Sequence, residues 1–131
     1  MTLATVMIVD DSEADHFICN YTLKKYNSDI NIIAAYDGQE ALDILAETEV
    51  HPQVIFLDIN MPRMNGHEFL EKYSEIYGDK RCSVVVMLTS SDQENDKQQS
   101  MAYKSVVDYF TKPLSVQAID TLCDENKNMC K

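Results

Sequence analysis

At 131 residues, with 45% hydrophobic and 25% charged side chains, the chain has the makeup of one folded domain and not of a disordered segment. Its net charge of −11 excludes the basic face that nucleic-acid binding needs, and also attraction to an anionic membrane surface. The start, Met1 to Thr5, has no basic region, and no apolar run reaches the length of a membrane span, so neither a signal peptide nor an anchor is expected.

Thr5 to Val9 reads as a buried strand that ends on Asp10-Asp11. Ser12 or Asp11 then caps a helix whose stripe Ala14, Phe17, Ile18 and Tyr21 is expected to face the core, with Glu13, Asp15 and Asn20 turned away. Ile30 to Ala35 is a second strand. Asp37 with Glu40 forms a capping box for a helix that buries Ala41, Leu42 and Leu45. Glu47 to Gln53 is a loop, broken by Pro52.

Val54 to Leu57 is a run of four apolar residues leading straight into Asp58, the habit of a strand buried on both faces of a parallel sheet. After the turn through Pro62, Asn65 and Glu68 make a second capping box. The helix they open carries Phe69, Leu70, Tyr73, Ile76 and Tyr77 and ends at Gly78. Ser83 to Leu88 is the fourth strand, closed by Thr89-Ser90-Ser91. Ser91 with Glu94 suggests a third capping box, for a helix from Asp92 to Ala102 with so few apolar residues that it should be weakly held. Val106 to Phe110 is the fifth strand, followed by Lys112-Pro113. A last helix from Ser115 buries Ile119, Leu122 and Cys123 before a polar tail.

Strands and helices thus alternate five times. That pattern specifies an α/β fold: a doubly wound five-stranded parallel sheet with helices on both faces and right-handed crossovers. A single domain over residues 1–131 is expected, with its core at about 4–126. If the strand order is the flavodoxin-like 2-1-3-4-5, Asp10, Asp11 and Asp58 share the crevice at the switch point, and Asp37, one strand outward, is a cap. Two carboxylates about 4 Å apart repel by about 4 kcal/mol at an effective dielectric near 20. Three in one crevice call for a hard cation, and Mg²⁺ is the natural one. Lys112 and Thr89, at neighbouring strand ends, suit the oxygens of a transferring phosphoryl group, with Asp58 as nucleophile.

These residues carry a resemblance. Val9-Asp10-Asp11-Ser12, Leu57-Asp58-Ile59-Asn60-Met61-Pro62 with Asn65-Gly66, Leu88-Thr89-Ser90 and Tyr109-Phe110-Thr111-Lys112-Pro113-Leu114 resemble the receiver domain of two-component response regulators over essentially the whole chain. The resemblance implies that Asp58 accepts a phosphoryl group from a phosphohistidine on a sensor histidine kinase or a histidine phosphotransfer protein. It implies Mg²⁺ held by Asp11, Asp58 and the Asn60 backbone carbonyl, with Asp10 acting through water. Lys112 would pair with the phosphoryl oxygens, and the Lys112-Pro113 bond would be cis. Thr89 and Tyr109 match the family's switch pair: the threonine hydroxyl moves toward the phosphoryl group and the tyrosine turns inward. Ser105-Val106 replaces the small pair common before the last strand, and Ser90 replaces the small residue that often follows the switch threonine.

The expectation is a stand-alone cytoplasmic signalling switch, not an enzyme beyond its own phosphotransfer and dephosphorylation, that acts on a downstream protein target. The fourth helix, last strand and last helix form the expected contact face. A receiver cut from a larger hybrid kinase is one alternative. A Mg²⁺-dependent phosphatase of the haloacid-dehalogenase type is another, disfavoured because Asn60 stands where that class has its second aspartate. No glycine motif for a nucleotide is present. His16, His51 and His67 lack ligand spacing and are expected at the surface, and Cys19, Cys82, Cys123 and Cys130 are expected as reduced thiols.

Overall fold

In chain order the elements are β1 (Thr5–Val9), α1 (Glu13–Tyr26), β2 (Asn31–Ala35), α2 (Gly38–Glu47), β3 (Val54–Leu57), α3 (Gly66–Tyr77), β4 (Val84–Thr89), α4 (Glu94–Met101), β5 (Val106–Thr111) and α5 (Val116–Glu125). The structure, a computed structural model, describes residues 3–78 and 83–125. Cys82, Cys130 and the polar tail lie outside them. All strand pairs are parallel, in the order β2-β1-β3-β4-β5 anticipated from the alternation.

Each central strand is apolar on both faces because each face packs on a helical layer. Met7, Val9, Ile55, Leu57, Val85 and Met87 join Ala41, Leu42 and Leu45 of α2 and Phe69, Leu70 and Tyr73 of α3 in one core. Their neighbours in sequence, Val6, Ile8, Val54, Phe56, Val84 and Val86, point the other way. There they meet Cys19 and Leu23 of α1 and Ile119, Leu122 and Cys123 of α5. The period of two along the strand thus feeds two cores at once. Among the described residues, no helix is long and apolar enough to cross a membrane.

The capping signals hold in part. Asn65 and Glu68 form a complete capping box. Asp37 accepts the Glu40 N–H at 2.8 Å, but Glu40 reaches back to the Tyr36 N–H and not to that of Asp37. Ser12 caps α1, and Gly78 closes α3 at φ 55°, where glycine has no Cβ to clash. The third box does not form. The helix α4 begins at Glu94 with no side-chain cap, because the Ser91 hydroxyl donates to Asp96 Oδ2 at 2.6 Å instead.

The helix α1 overturns the expected facing. Its buried residues are His16, Cys19 and Leu23, while Phe17, Ile18 and Tyr21 are exposed by 74%, 41% and 62%. At 3.6 residues per turn these stripes lie on opposite sides of the helix. Two polar contacts fix the roll: His16 Nε2–H donates to the Asp10 carbonyl at 2.8 Å, and Asp15 pairs with Lys112 at 2.7 Å. Asp15 therefore faces the strand ends, and Asn20 bonds back to the His16 carbonyl. Ile76 of α3, expected inside, is exposed. The histidines are also corrected. His16 is buried with its ring 4.3 Å from that of Tyr36, and His51 and His67 are half-buried with bonds to the Leu45 carbonyl and Ser100 Oγ. Each imidazole N–H found a fixed acceptor, which is what permits burial.

Candidate functional site

The carboxyl edge of the sheet carries the site. The register of β1 on β3 pairs Val9 with Leu57, so Asp10 and Asp58 leave adjacent strand ends. Backbone bonds hold both: Asp58 N–H to the Val9 carbonyl at 3.0 Å, and Asp10 N–H to the Ala35 carbonyl at 3.1 Å. Each of Asp10, Asp11 and Asp58 offers a carboxylate oxygen within 4.8 Å of the others. Asp10 and Asp58 are buried and Asp11 is exposed, so the cluster opens to solvent on one side. As expected, Asp37 stays outside this group and serves as the α2 cap.

Lys112 enters from the end of β5, where its N–H donates to the Thr89 carbonyl at 2.9 Å, and its bond to Pro113 is cis. Its ammonium touches three carboxylates: Asp10 Oδ2 at 2.7 Å, Asp15 Oδ2 at 2.7 Å and Asp58 Oδ2 at 3.1 Å. Burial works against the charged lysine, but the bonds to Asp10 and Asp15 and the charge of Asp58 outweigh it and hold its pKa above the ordinary value. Burial pushes the Asp10 carboxyl above the usual range, against the hydrogen bonds from Lys112 and Ser12, and the charge of Asp58 adds to the rise. With Asp11 and Asp15, four carboxylates face one ammonium. The crevice carries an excess of negative charge that a divalent cation would offset, and its donors are all hard oxygens.

Thr89 is fully buried at the end of β4, and its hydroxyl accepts the Ser91 N–H at 3.3 Å. Tyr109, half-buried on β5, donates its hydroxyl to the Ser91 carbonyl at 2.8 Å. The two residues thus meet at Ser91. From there a chain of bonds runs through Asp96 and Ser100 to His67 at the start of α3. Asn60 is exposed in a loop whose ends are joined by the bond from Gly66 N–H to the Ile59 carbonyl at 2.8 Å.

Sequence reasoning missed Asp15, Ser91 and the Ser100–His67 link. Asp15 carried a usable signal, since it lies in the first turn of α1, which opens just past the Asp10-Asp11 strand end. The thiols Cys19 and Cys123 are buried and in no disulfide among the described residues, and burial pushes that of Cys19 up to about 12, where it stays protonated.

Residues 6–124 match the sequence model of the response regulator receiver domain. The chain is 36% identical to the protein PilG of Pseudomonas aeruginosa over 116 residues, which are 87% of this chain and 80% of that protein. Among solved structures, a two-component response regulator from Cytophaga hutchinsonii superposes with a TM-score of 0.89 at 26% identity, covering 98% of this chain and 99% of the other. The chemotaxis protein CheY4 of Vibrio cholerae gives 0.77 at 27% identity, covering 95% and 98%. With an all-parallel 2-1-3-4-5 sheet and an acidic cluster at its carboxyl edge, this chain belongs to the response regulator receiver domain family.

Proposed function

We propose that the chain is a cytoplasmic phosphorylation switch in which Asp58 takes a phosphoryl group from a phosphohistidine. One observation carries the reading: Asp10, Asp11 and Asp58 converge within 4.8 Å, with the Lys112 ammonium lying against Asp10 and Asp58. A carboxylate oxygen of Asp58 attacks phosphorus, the phosphorus–nitrogen bond of the donor imidazole breaks, and the electron pair leaves with nitrogen. The product is an acyl phosphate on Asp58 and a free histidine on the donor.

Asp11, Asp58 and the Asn60 carbonyl would hold Mg²⁺, with Asp10 acting through water. The bound ion would neutralise charge on the transferring group. Lys112 follows the phosphoryl oxygens as a point charge and gives up Asp58 in doing so. Thr89 and Tyr109 report the change. When the Thr89 hydroxyl turns to the phosphoryl group it leaves the Ser91 N–H, and the bond from Tyr109 to Ser91 is re-made in step. Because α4 hangs on this junction through Ser91 and Asp96, the polar helix is the element whose position changes.

The donor is a sensor histidine kinase or histidine phosphotransfer protein, and the output is contact with a downstream protein at the α4–β5–α5 face. Apart from transfer to itself and hydrolysis of the product, no catalysis is assigned. The test is intact mass after incubation with Mg²⁺ and a small phosphodonor. Wild type should gain one phosphoryl group only with Mg²⁺, and Asp58→Asn none. An adduct of equal yield on Asp58→Asn sinks the reading.

A further inference from the structure

We propose that Arg63 is a positioning residue: its ion pair with Asp37 holds the β3–α3 loop in the shape that presents the Asn60 carbonyl to a divalent cation. The inference rests on the cation-dependent reading above and adds a residue outside the acidic cluster.

Two closures define the loop. At its base, Gly66 N–H bonds to the Ile59 carbonyl, which leaves Asn60 one residue inside a closed turn. Only glycine fits there, since a Cβ would stand 2.4 Å from the Asp58 carbonyl oxygen. On its far side the loop is tied to the β2–α2 junction. Gly38 N–H donates to the Met64 carbonyl at 3.1 Å, and Arg63 sends Nε (2.9 Å) and Nη2 (2.7 Å) to Asp37 Oδ2. Asp37 is a firm anchor, because its other oxygen caps α2 through the Glu40 N–H.

Two features make the pair more than surface decoration. Arg63 has φ 62°, the left-handed region where glycine would sit without strain, yet a long cationic side chain occupies it. The side chains are also unequal: that of Arg63 is 64% exposed and that of Asp37 only 12%. An ion pair this open adds little to fold stability. Its effect falls on the conformation of the loop that contains Asn60.

Charge gives the test its sign. A guanidinium near an acidic crevice opposes a cation, so if Arg63 acted only through its charge, removing it would tighten Mg²⁺ binding. Loop positioning demands the reverse. Mg²⁺ dissociation constants are measured by calorimetry at fixed ionic strength, beside thermal unfolding in chelator, for Arg63→Gly, Arg63→Asn, Asp37→Asn and the double variant Arg63→Gly/Asp37→Asn. Glycine and asparagine both accept left-handed backbone, and Asp37→Asn keeps the α2 cap. We expect Mg²⁺ to bind about tenfold more weakly to either Arg63 variant, the low end for partners of metal-ligand groups. The melting point of Arg63→Gly in chelator should be unchanged or raised, and the double variant should bind no worse than Asp37→Asn alone. Unchanged or tighter binding overturns the inference, as does a further full loss in the Asp37→Asn background. The control Asp58→Asn separates the two levels. If it binds Mg²⁺ as well as wild type, the cation-dependent reading fails and this inference with it. If it binds weakly while Arg63→Gly does not, only this inference fails.

Discussion

Replacing Lys112 with methionine keeps an unbranched stem and removes the charge shared by Asp10, Asp15 and Asp58. Asp10 and Asp58 are exposed by only 2% and 7%, so water does little to compensate them. Deleting one partner of a buried ion pair typically costs about 3–5 kcal/mol. Protonation sets a ceiling. A carboxyl with an ordinary pKa near 4 can accept a proton at about pH 7 for about 4 kcal/mol, and Asp10, already raised by burial, does so for less. The expected loss is therefore about 2–4 kcal/mol, or about 6–15 °C in melting temperature for a domain of this size. Circular dichroism melts in chelator measure it. The deficit should shrink as the pH falls below about 7, because the Asp10 carboxyl, already raised by burial, takes up a proton more readily once the ammonium is gone. Added Mg²⁺ should restore more stability to the variant than to wild type, because the ammonium no longer competes for Asp10 and Asp58. A variant as stable as wild type in chelator at about pH 7 would refute the view that this lysine neutralises the crevice.

Three other outcomes follow from the same geometry. Asp10→Asn removes a charge whose ionisation burial penalises, so it should raise the melting point in chelator by a few degrees while weakening Mg²⁺ binding in calorimetry. Gly66→Ala drives a Cβ onto backbone atoms, the Asp58 carbonyl oxygen and Ile59 Cα at 2.9 Å, and should cost about 1–3 kcal/mol in urea unfolding with a loss of Mg²⁺ affinity. Asp37 has its pKa held below the ordinary 3.8, burial being outweighed by the Glu40 N–H and Arg63. Its charge therefore contributes stability above pH 3.8 that is lost as pH falls through its lower folded value. The gap in urea midpoint between wild type and Asp37→Asn should accordingly close as the pH is taken from about 5 to below that value.

The strands were legible because two-sided burial writes itself as unbroken apolar runs, such as Val54 to Leu57, and the carboxylates Asp10, Asp11 and Asp58 stood directly at their ends. Parallel alternation then left little freedom in topology. The roll of α1 was not legible. Its apolar stripe at Phe17, Ile18 and Tyr21 is real but faces solvent. The buried face runs through a histidine and a cysteine, whose burial depends on the Asp10 carbonyl and on Lys112 arriving from a distant strand. The same limit hid Arg63–Asp37, a pair made by two loops brought side by side only by the sheet. Ser91 followed the local rule for a capping residue, yet its hydroxyl went to Asp96, and its backbone bridges Thr89 and Tyr109. Local periodicity specifies what an element is. Which face it turns inward was decided here by single polar contacts between distant residues.

That face leaves Phe17 and Tyr21 beside Lys24 and Lys25 on the open side of α1, the helix that starts directly after Asp11. Under the proposed phosphotransfer, a protein donor that reached Asp58 along this helix would meet these side chains. Exchanging Phe17 for a polar residue should slow transfer from a protein donor while leaving the reaction with a small phosphodonor intact.

Asp58 as the phosphoryl acceptor is tested most directly by trapping the modified residue. After Mg²⁺-dependent phosphorylation, borohydride reduces an aspartyl phosphate to homoserine, which peptide mass mapping locates. Homoserine at position 58 alone, and none when Mg²⁺ is chelated, is the predicted result. Homoserine at position 10 or 11, or a phosphoryl group that resists reduction and maps to a histidine, serine or threonine, would contradict the assignment of Asp58 as the acceptor.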